Sequence, residues 1–195
     1  MEEPSAFFKV LIVGDGAVGK TSICTHATTQ EFFSDYHLTV GCDFFIKRIY
    51  VKNTSVTLQI FDIGGQDQFL KIRPAFAGGA MGLFLAFDIT RRDSFYNLED
   101  WYDSVKEGLH PKAPKVLVAT KYDLISEREV WKEDVETFMG ILGIDGYVET
   151  SSLTGDGVDE AFEMMAKMLL ARFSPEEYSK KAQRTKFLEG LYQRY

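Results

Sequence analysis

Residues 7–21 read FFKVLIVGDGAVGKT, and this stretch decides the fold. Its first half, through Val13, is an almost unbroken apolar and β-branched run, the pattern of a parallel strand buried on both faces. The run stops at Gly14-Asp15-Gly16-Ala17-Val18-Gly19-Lys20-Thr21, which fits G-x-x-x-x-G-K-[ST]. A helix is expected over residues 21–30, so the motif lies between a strand and a helix. Small residues there let successive backbone N–H groups turn inward and form a nest for phosphate oxygens. The helix points its positive dipole end at the same place. Lys20 adds a point charge for the β- and γ-phosphates, and the Thr21 hydroxyl is a magnesium ligand. The expected phosphate-binding segment is therefore Gly14, Asp15, Gly16, Ala17, Val18, Gly19, Lys20, Thr21 and the following Ser22. Taken alone, the motif is shared by many unrelated nucleotide enzymes.

The length, 195 residues, suits one domain with a sizeable core. No run approaches the ~18–20 apolar residues of a membrane span. The opening Met1-Glu2-Glu3-Pro4 is short and acidic, unlike a signal peptide. A net charge of −7 argues against sequence-independent binding to nucleic acid or anionic membranes. Two cysteines, Cys24 and Cys42, make no disulfide framework and suit a reducing cytosol, as small fillers in or near the core. Where Tyr195 is the natural end, the lack of a C-terminal cysteine predicts no prenyl anchor. The residue after Met1 is Glu2 and not glycine, so no myristoyl anchor is expected either. The expectation is a cytoplasmic monomer, reaching membranes only through partners.

Residues 31–39 have no clean period and read as a loop. Strands are expected at 42–51 and 55–61, joined by a tight turn at Lys52-Asn53-Thr54 into an antiparallel hairpin. Residues 62–79 begin with Gly64-Gly65, end with Gly78-Gly79 and read as free to move. A buried strand follows at 81–87. Ser94 is expected to cap a helix running to about Gly108, with Phe95, Leu98, Trp101, Tyr102 and Val105 on its buried side. Further strands are expected at 116–119 and 146–150, with helices at 131–142 and 158–172. The pattern predicts a three-layer α/β fold with a six-stranded sheet, parallel except at one edge strand. Ser174-Pro175-Glu176-Glu177 is a helix start, launching a basic and aromatic helix over about 175–192. It divides the chain into residues 1–173 and a helical extension, 174–195. Docking on its own domain, a partner contact and a weak membrane-surface helix are all open to that extension.

Ligands in such a sheet bind at the carboxyl ends of the strands. After the third strand come Asp62-Ile63-Gly64-Gly65-Gln66. An acid there can hold magnesium, Gly65 leaves a bare N–H able to sense a γ-phosphate, and Gln66 can orient an attacking water. After the fifth come Thr120-Lys121-Tyr122-Asp123. A carboxylate facing a purine edge selects guanine, whose N1–H and N2–H are adjacent donors. Each charge-assisted bond contributes roughly 1.5–3 kcal/mol. After the sixth, Glu149-Thr150-Ser151-Ser152-Leu153 lies where a loop could cover the base. Each of these signals alone also fits an ordinary turn.

Their order and spacing resemble the Ras superfamily of small GTPases, over about residues 7–173. The DFF hairpin after Thr39 and Gly41 is most similar to the Rab branch. The resemblance implies binding of GTP and GDP with magnesium, slow hydrolysis and two switch segments. Thr39 then matches the switch I threonine at magnesium and the γ-phosphate, and Phe32 the aromatic packed on the base. Asp62, Gly65 and Gln66 match the second motif, with Lys20 as the catalytic charge. Asp123 matches the guanine-reading acid and Lys121 the lysine along base and ribose. Phe44, Phe61 and Phe76 occupy the effector-reading aromatic positions. An activating protein, an exchange factor and effectors are the implied partners, in membrane trafficking or related regulation.

Three departures stand out. Thr120 replaces the usual Asn of N-K-x-D, which predicts weaker tethering of the base. Ser152 and Leu153 replace the Ala and Lys of the S-A-K-like loop, and a backbone N–H there is expected to meet the guanine oxygen. Asp67 is a shorter acid beside Gln66. The Gly-Gly-Gln and Thr-Lys-Tyr-Asp stretches resemble unprenylated relatives, including the septum-initiation GTPases. No arginine is recognisable as a finger in cis. His26, His37 and His110 read as ordinary residues. Two rivals stay open: a non-hydrolysing, nucleotide-stabilised scaffold, and a phosphate-loop kinase or ATPase.

Overall fold

The computed structural model describes residues 5–29, 41–64, 73–175 and 177–178. The opening apolar run is β1 (Ser5–Val13), and its residues alternate between two covered faces. The chain continues through α1 (Lys20–Thr29), β2 (Cys42–Val51), β3 (Thr54–Ile63), α2 (Arg73–Ala77), β4 (Gly82–Asp88), α3 (Arg92–Tyr96) and α4 (Leu98–Val105). Then come β5 (Lys115–Thr120), α5 (Lys132–Leu142), β6 (Gly146–Glu149) and α6 (Val158–Arg172). Short 3-10 turns at Lys106–Gly108 and Tyr122–Glu127 link the later elements.

The six strands form one sheet in the order β2-β3-β1-β4-β5-β6. Every neighbouring pair is parallel except β2 with β3, which is the hairpin read from the sequence. Ala6, Phe8, Val10 and Ile12 of β1 face one layer of helices, packing with Ile23 and Ala27 of α1 and Phe162, Met165 and Leu169 of α6. Leu11 and Val13 face the other, with Leu98, Trp101 and Val105 of α4 and Val135 of α5. This period-2 division is why a continuous apolar run makes a doubly covered strand. Edge-to-face ring pairs bind sheet to helices on both sides: Phe84 with Phe162 at 5.2 Å and Phe87 with Phe95 at 4.9 Å. Such a pair adds about 0.5–1.5 kcal/mol to the area it buries.

The topology also fixes where a ligand can go. From β1 the chain crosses to β3 on one side and to β4 on the other, so the strand order reverses at β1. The crevice at the carboxyl end of that switch point opens where residues 14–19 leave the sheet.

Several boundaries differ from expectation. The single helix expected from Ser94 to Gly108 is α3, α4 and a 3-10 turn. The two helices meet at Asn97, which keeps near-helical dihedrals (φ −70°, ψ −8°) as a turn between them, and Val105, at φ −122°, ends the second. Ser94 is not a cap. It lies inside α3, buried, and its hydroxyl donates to Arg91 O at 2.7 Å and accepts from Asp88 N at 3.1 Å. Within residues 62–79, read as free to move, Asp62 and Ile63 end β3 fully buried, and α2 buries Arg73 and Ala77. Residues 65–72 lie outside the described residues, as does the expected loop at 31–39.

Of the final helix, only its first turn is described. Tyr178 sets its ring edge on Phe8 at 5.4 Å, and Glu177 pairs with Lys112 at 3.1 Å. The Ser174 amide donates to the Glu177 carboxylate at 2.8 Å, the acid's half of a capping box. Together with the lysine, that bond holds the Glu177 carboxyl below its usual range.

Gly157 opens α6 at φ +67°, and a Cβ there lies 2.0 Å from Glu149 O. Gly157→Ala is therefore expected to destabilise the fold by more than about 2 kcal/mol, a fall of at least roughly 4 °C in Tm for a domain of this size. Thermal unfolding checks this; a melting point unchanged within a degree contradicts the stated close approach.

Candidate functional site

The loop after β1 is held against the sheet by what it lacks. Gly14 has φ +146°, and a Cβ on it falls 2.1 Å from the carbonyl oxygen of Ala86 in β4. No side chain fits there. Lys20 starts α1 with 5% of its surface exposed, and its ammonium donates to Gly14 O at 2.6 Å and Asp15 O at 2.7 Å. The lysine thus closes the loop that it terminates. Burial draws its pKa downward, while Asp62 and Asp15 oppose that shift.

The outer side of the loop is tied to α4. Asp15 accepts from the indole N–H of Trp101 at 2.7 Å and from the side-chain amide of Asn97 at 2.9 Å. The Arg73 guanidinium, arriving from α2, lies 3.5 Å from the centre of the Trp101 ring. Arg91, just before α3, donates to Gly16 O at 3.0 Å. Of these five side chains, sequence reading finds only Asp15 as a site residue. It places Trp101 on an apolar face, yet the indole N–H requires a polar partner once buried, which is the signal that could have found it.

Beside the lysine, the Thr21 hydroxyl donates to Asp62 Oδ2 at 2.5 Å. Asp62 has no exposed surface and stands in register with Ile12 and Asp43. A hydroxyl and a carboxylate side by side at the root of a phosphate nest suit a hard divalent cation that keeps part of its water shell. The residues fit magnesium. No group of three or more His, Cys, Asp or Glu side chains gathers at metal-ligand spacing among the described residues. On β2, burial, then Asp62 and Asp43, push the Cys42 thiol up to about 12.

A second cluster gathers at the ends of β5 and β6. Thr120, almost fully buried, places its hydroxyl 2.5 Å from Val18 O and 2.9 Å from Phe87 O. Its single proton serves one carbonyl at a time, the shorter contact being to Val18, so Thr120 ties the phosphate loop to the end of β5. Lys121 adopts a left-handed backbone (φ +59°) and reaches Asp88 Oδ2 at 2.6 Å. Asp88, fully buried at the end of β4, also accepts from Thr90 N and Oγ1 at 2.9 and 2.7 Å. Sequence reading missed it, although it follows the rule that chemistry-bearing residues end strands. Asp123 accepts from the Ser151 hydroxyl at 2.5 Å. Ser151 is braced in turn by its amide to Asp156 O at 2.9 Å and by Thr154 N at 3.2 Å. Ser152 is half-buried and Leu153 exposed on the loop beyond. Phe32, His37, Thr39, Gly65, Gln66 and Asp67 lie outside the described residues.

Sheet order, glycine loop and closing lysine define a phosphate-loop nucleotide-binding fold. The sequence model of the Ras family matches residues 9–171. Over 165 residues the chain is 35% identical to the Ras-related protein Rab-13 of Bos taurus, covering 85% of this chain and 81% of that one. It is 36% identical to Rab-13 of Canis lupus familiaris over the same shares. Against the Ras-related protein RABA6b of Arabidopsis thaliana it is 37% identical over 164 residues, 84% of this chain and 71% of the relative. The chain belongs to the Ras family, as a Rab-like small GTPase.

Thr120→Val removes the hydroxyl while keeping the shape, and leaves the Val18 carbonyl of the loop without its Thr120 donor. A loss of about 1–3 kcal/mol in unfolding free energy is expected. Chemical denaturation measures it; a variant as stable as the parent contradicts the described stitch between loop and sheet.

Proposed function

We propose that the chain is a molecular switch that binds GTP and GDP with magnesium and slowly hydrolyses GTP to GDP and phosphate. One observation carries the reading. The lysine-closed loop, the Thr21–Asp62 pair and the Ser151-braced Asp123 all line the carboxyl edge of one sheet, with Thr120 bonded between loop and strand. That edge offers a phosphate nest, a cation position and a purine-edge carboxylate together.

Residues Gly14, Asp15, Gly16, Ala17, Val18, Gly19, Lys20, Thr21 and Ser22 receive the phosphates, through backbone N–H groups and the lysine charge. Thr21 and Asp62 hold magnesium, and Thr39 joins them in the triphosphate state. When bound, the ion neutralises charge on the β- and γ-phosphate oxygens. Gly65 senses the γ-phosphate and Gln66 orients the water. Phe32 packs on the base, Lys121 lies along base and ribose, and Asp123 takes the two guanine donors. Thr120 braces the site, and the loop of Ser151, Ser152 and Leu153 covers the base, with the Ser152 amide meeting the guanine oxygen while Asp156 O holds the Ser151 amide.

Output passes through the segments around Thr39 and Gln66 to effector proteins, in membrane trafficking or related regulation. Phe44 is half exposed and meets Phe61 edge-on at 5.1 Å, which supports a role for Phe44, Phe61 and Phe76 in that contact. An activating protein and an exchange factor are the other partners. Nucleic acid is not among them. No helix among the described residues is long and apolar enough to cross a membrane. The working form is a cytoplasmic monomer, with residues 1–173 as the switch domain and 174–195 as its extension.

Two variants test the assignment. Single-turnover assays of Gln66→Leu should give slower hydrolysis with GTP affinity nearly unchanged, and an equal loss of both would remove the role given to Gln66. Asp123→Ala should weaken GDP binding by roughly 100-fold or more, the worth of two charge-assisted bonds. Competition by ATP that matches GTP on the parent protein would overturn the guanine reading.

A further inference from the structure

Resting on the GTP-hydrolysing reading above, we propose that Arg91 is a catalytic residue supplied by the chain itself, a cation poised at the phosphate loop to stabilise the transition state of hydrolysis. No arginine is recognisable for this role in the sequence, since Arg91 sits 75 positions from the loop residue it touches.

Its setting distinguishes it from the other cations of the site. Lys20, already assigned to the phosphates, sits inside the loop on the carbonyls of Gly14 and Asp15. Lys121 is held at 2.6 Å by the buried Asp88. Arg73 is buried with its guanidinium against the Trp101 ring. Arg91, by contrast, keeps 43% of its side chain exposed and donates to a neutral acceptor, Gly16 O, at 3.0 Å. Its nearest ion-pair partner among the described residues is Asp88, 3.9 Å from Nε and already engaged by Lys121. A guanidinium carries five N–H donors in a planar fork matched to phosphate oxygens. Here one is used, on the third residue of the loop whose amides surround the phosphates.

The backbone holding Arg91 is fixed. Its amide donates to Asp88 O at 3.0 Å, and its carbonyl accepts from Ser94 N at 3.1 Å and Ser94 Oγ at 2.7 Å. With its backbone fixed, only the half-exposed side chain has to turn from the Gly16 carbonyl toward the phosphates, which limits the reorganisation that weakens electrostatic stabilisation. The reaction itself is GTP plus water giving GDP and phosphate. The water oxygen forms the new bond to the γ-phosphorus. The bond from that phosphorus to the β–γ bridging oxygen breaks, its electron pair stays on GDP, and the water proton ends on phosphate or solvent. Arg91 offsets the negative charge growing on the bridging and γ-oxygens. It makes that contact more strongly in the transition state than in the ground state, so its effect falls on rate and not on affinity.

The test compares the full-length chain with Arg91→Ala, Arg91→Lys and the control Arg92→Ala. Arg92 faces Tyr96 at 2.9 Å and Asp134 at 3.4 Å, away from the loop. Without any activating protein, single-turnover hydrolysis by the parent should be near 10⁻² s⁻¹, and Arg91→Ala should lower it about 30-fold, the ratio separating switches with and without an arginine in cis. Arg91→Lys, which keeps the charge and loses the planar fork, should fall between the two. Dissociation constants for GTP and GDP should move less than about 3-fold, and Arg92→Ala should match the parent. A second readout uses no turnover: the parent, loaded with GDP, magnesium and aluminium fluoride, should bind the fluoride as a transition-state analogue, and Arg91→Ala should not. Millimolar guanidinium should restore part of the lost rate. Arg91→Ala that hydrolyses like the parent, or that loses rate and nucleotide affinity in equal proportion, overturns the proposal while leaving the GTPase reading intact. A parent protein that binds GTP and never cleaves it overturns both.

Discussion

The structure depends on how closely the phosphate loop can lie on the sheet. Gly14 approaches the Ala86 carbonyl so nearly that a methyl group in its place falls 2.1 Å away. From the far side, the Thr120 hydroxyl bonds the Val18 carbonyl of the same loop. These two contacts fix the loop to β4 and β5. Three parts then take their places around it: the Lys20 ammonium inside the loop, Asp62 at its root and the Asp123–Ser151 pair beyond the ends of β5 and β6.

The electrostatics follow from that placement. A buried ammonium is costly unless it is fully hydrogen-bonded, and Lys20 meets two loop carbonyls with Asp62 and Asp15 nearby. Asp15 is itself held from outside by Trp101 and Asn97, so α4 supports the loop's charge balance as well as the core. Arg73 against the Trp101 ring links α2 to the same support. A displacement of α2 is thus felt at the loop through one indole ring.

Much of this is legible in the sequence because it is local. The run from Phe7 to Val13 and the glycine loop after it specify a strand, a turn and a helix within a few residues of one another. The hairpin turn at Lys52-Asn53 and the extent of α6 are local in the same sense. What escapes is long-range. Asp88 pairs with Lys121, Trp101 with Asp15, and Arg91 with Gly16, all across the fold. Nothing in the neighbouring residues announces such a pairing. Ser94 illustrates the limit: its type suits a helix cap, but the backbone of Asp88 claims its hydroxyl and the helix starts two residues earlier. Thr120 reads in the sequence as a weaker hold on a base, and nothing local shows that its hydroxyl also meets the Val18 carbonyl of the loop.

The central claim, that this carboxyl edge is a guanine-nucleotide site, is tested most directly by what the protein carries. The purified chain would be denatured, and any released nucleotide identified and counted by chromatography. The account predicts close to one guanine nucleotide per chain, chiefly GDP, released faster when magnesium is chelated before denaturation. Adenine nucleotide in the extract, or an empty protein that takes up ATP in preference to GTP, would contradict it.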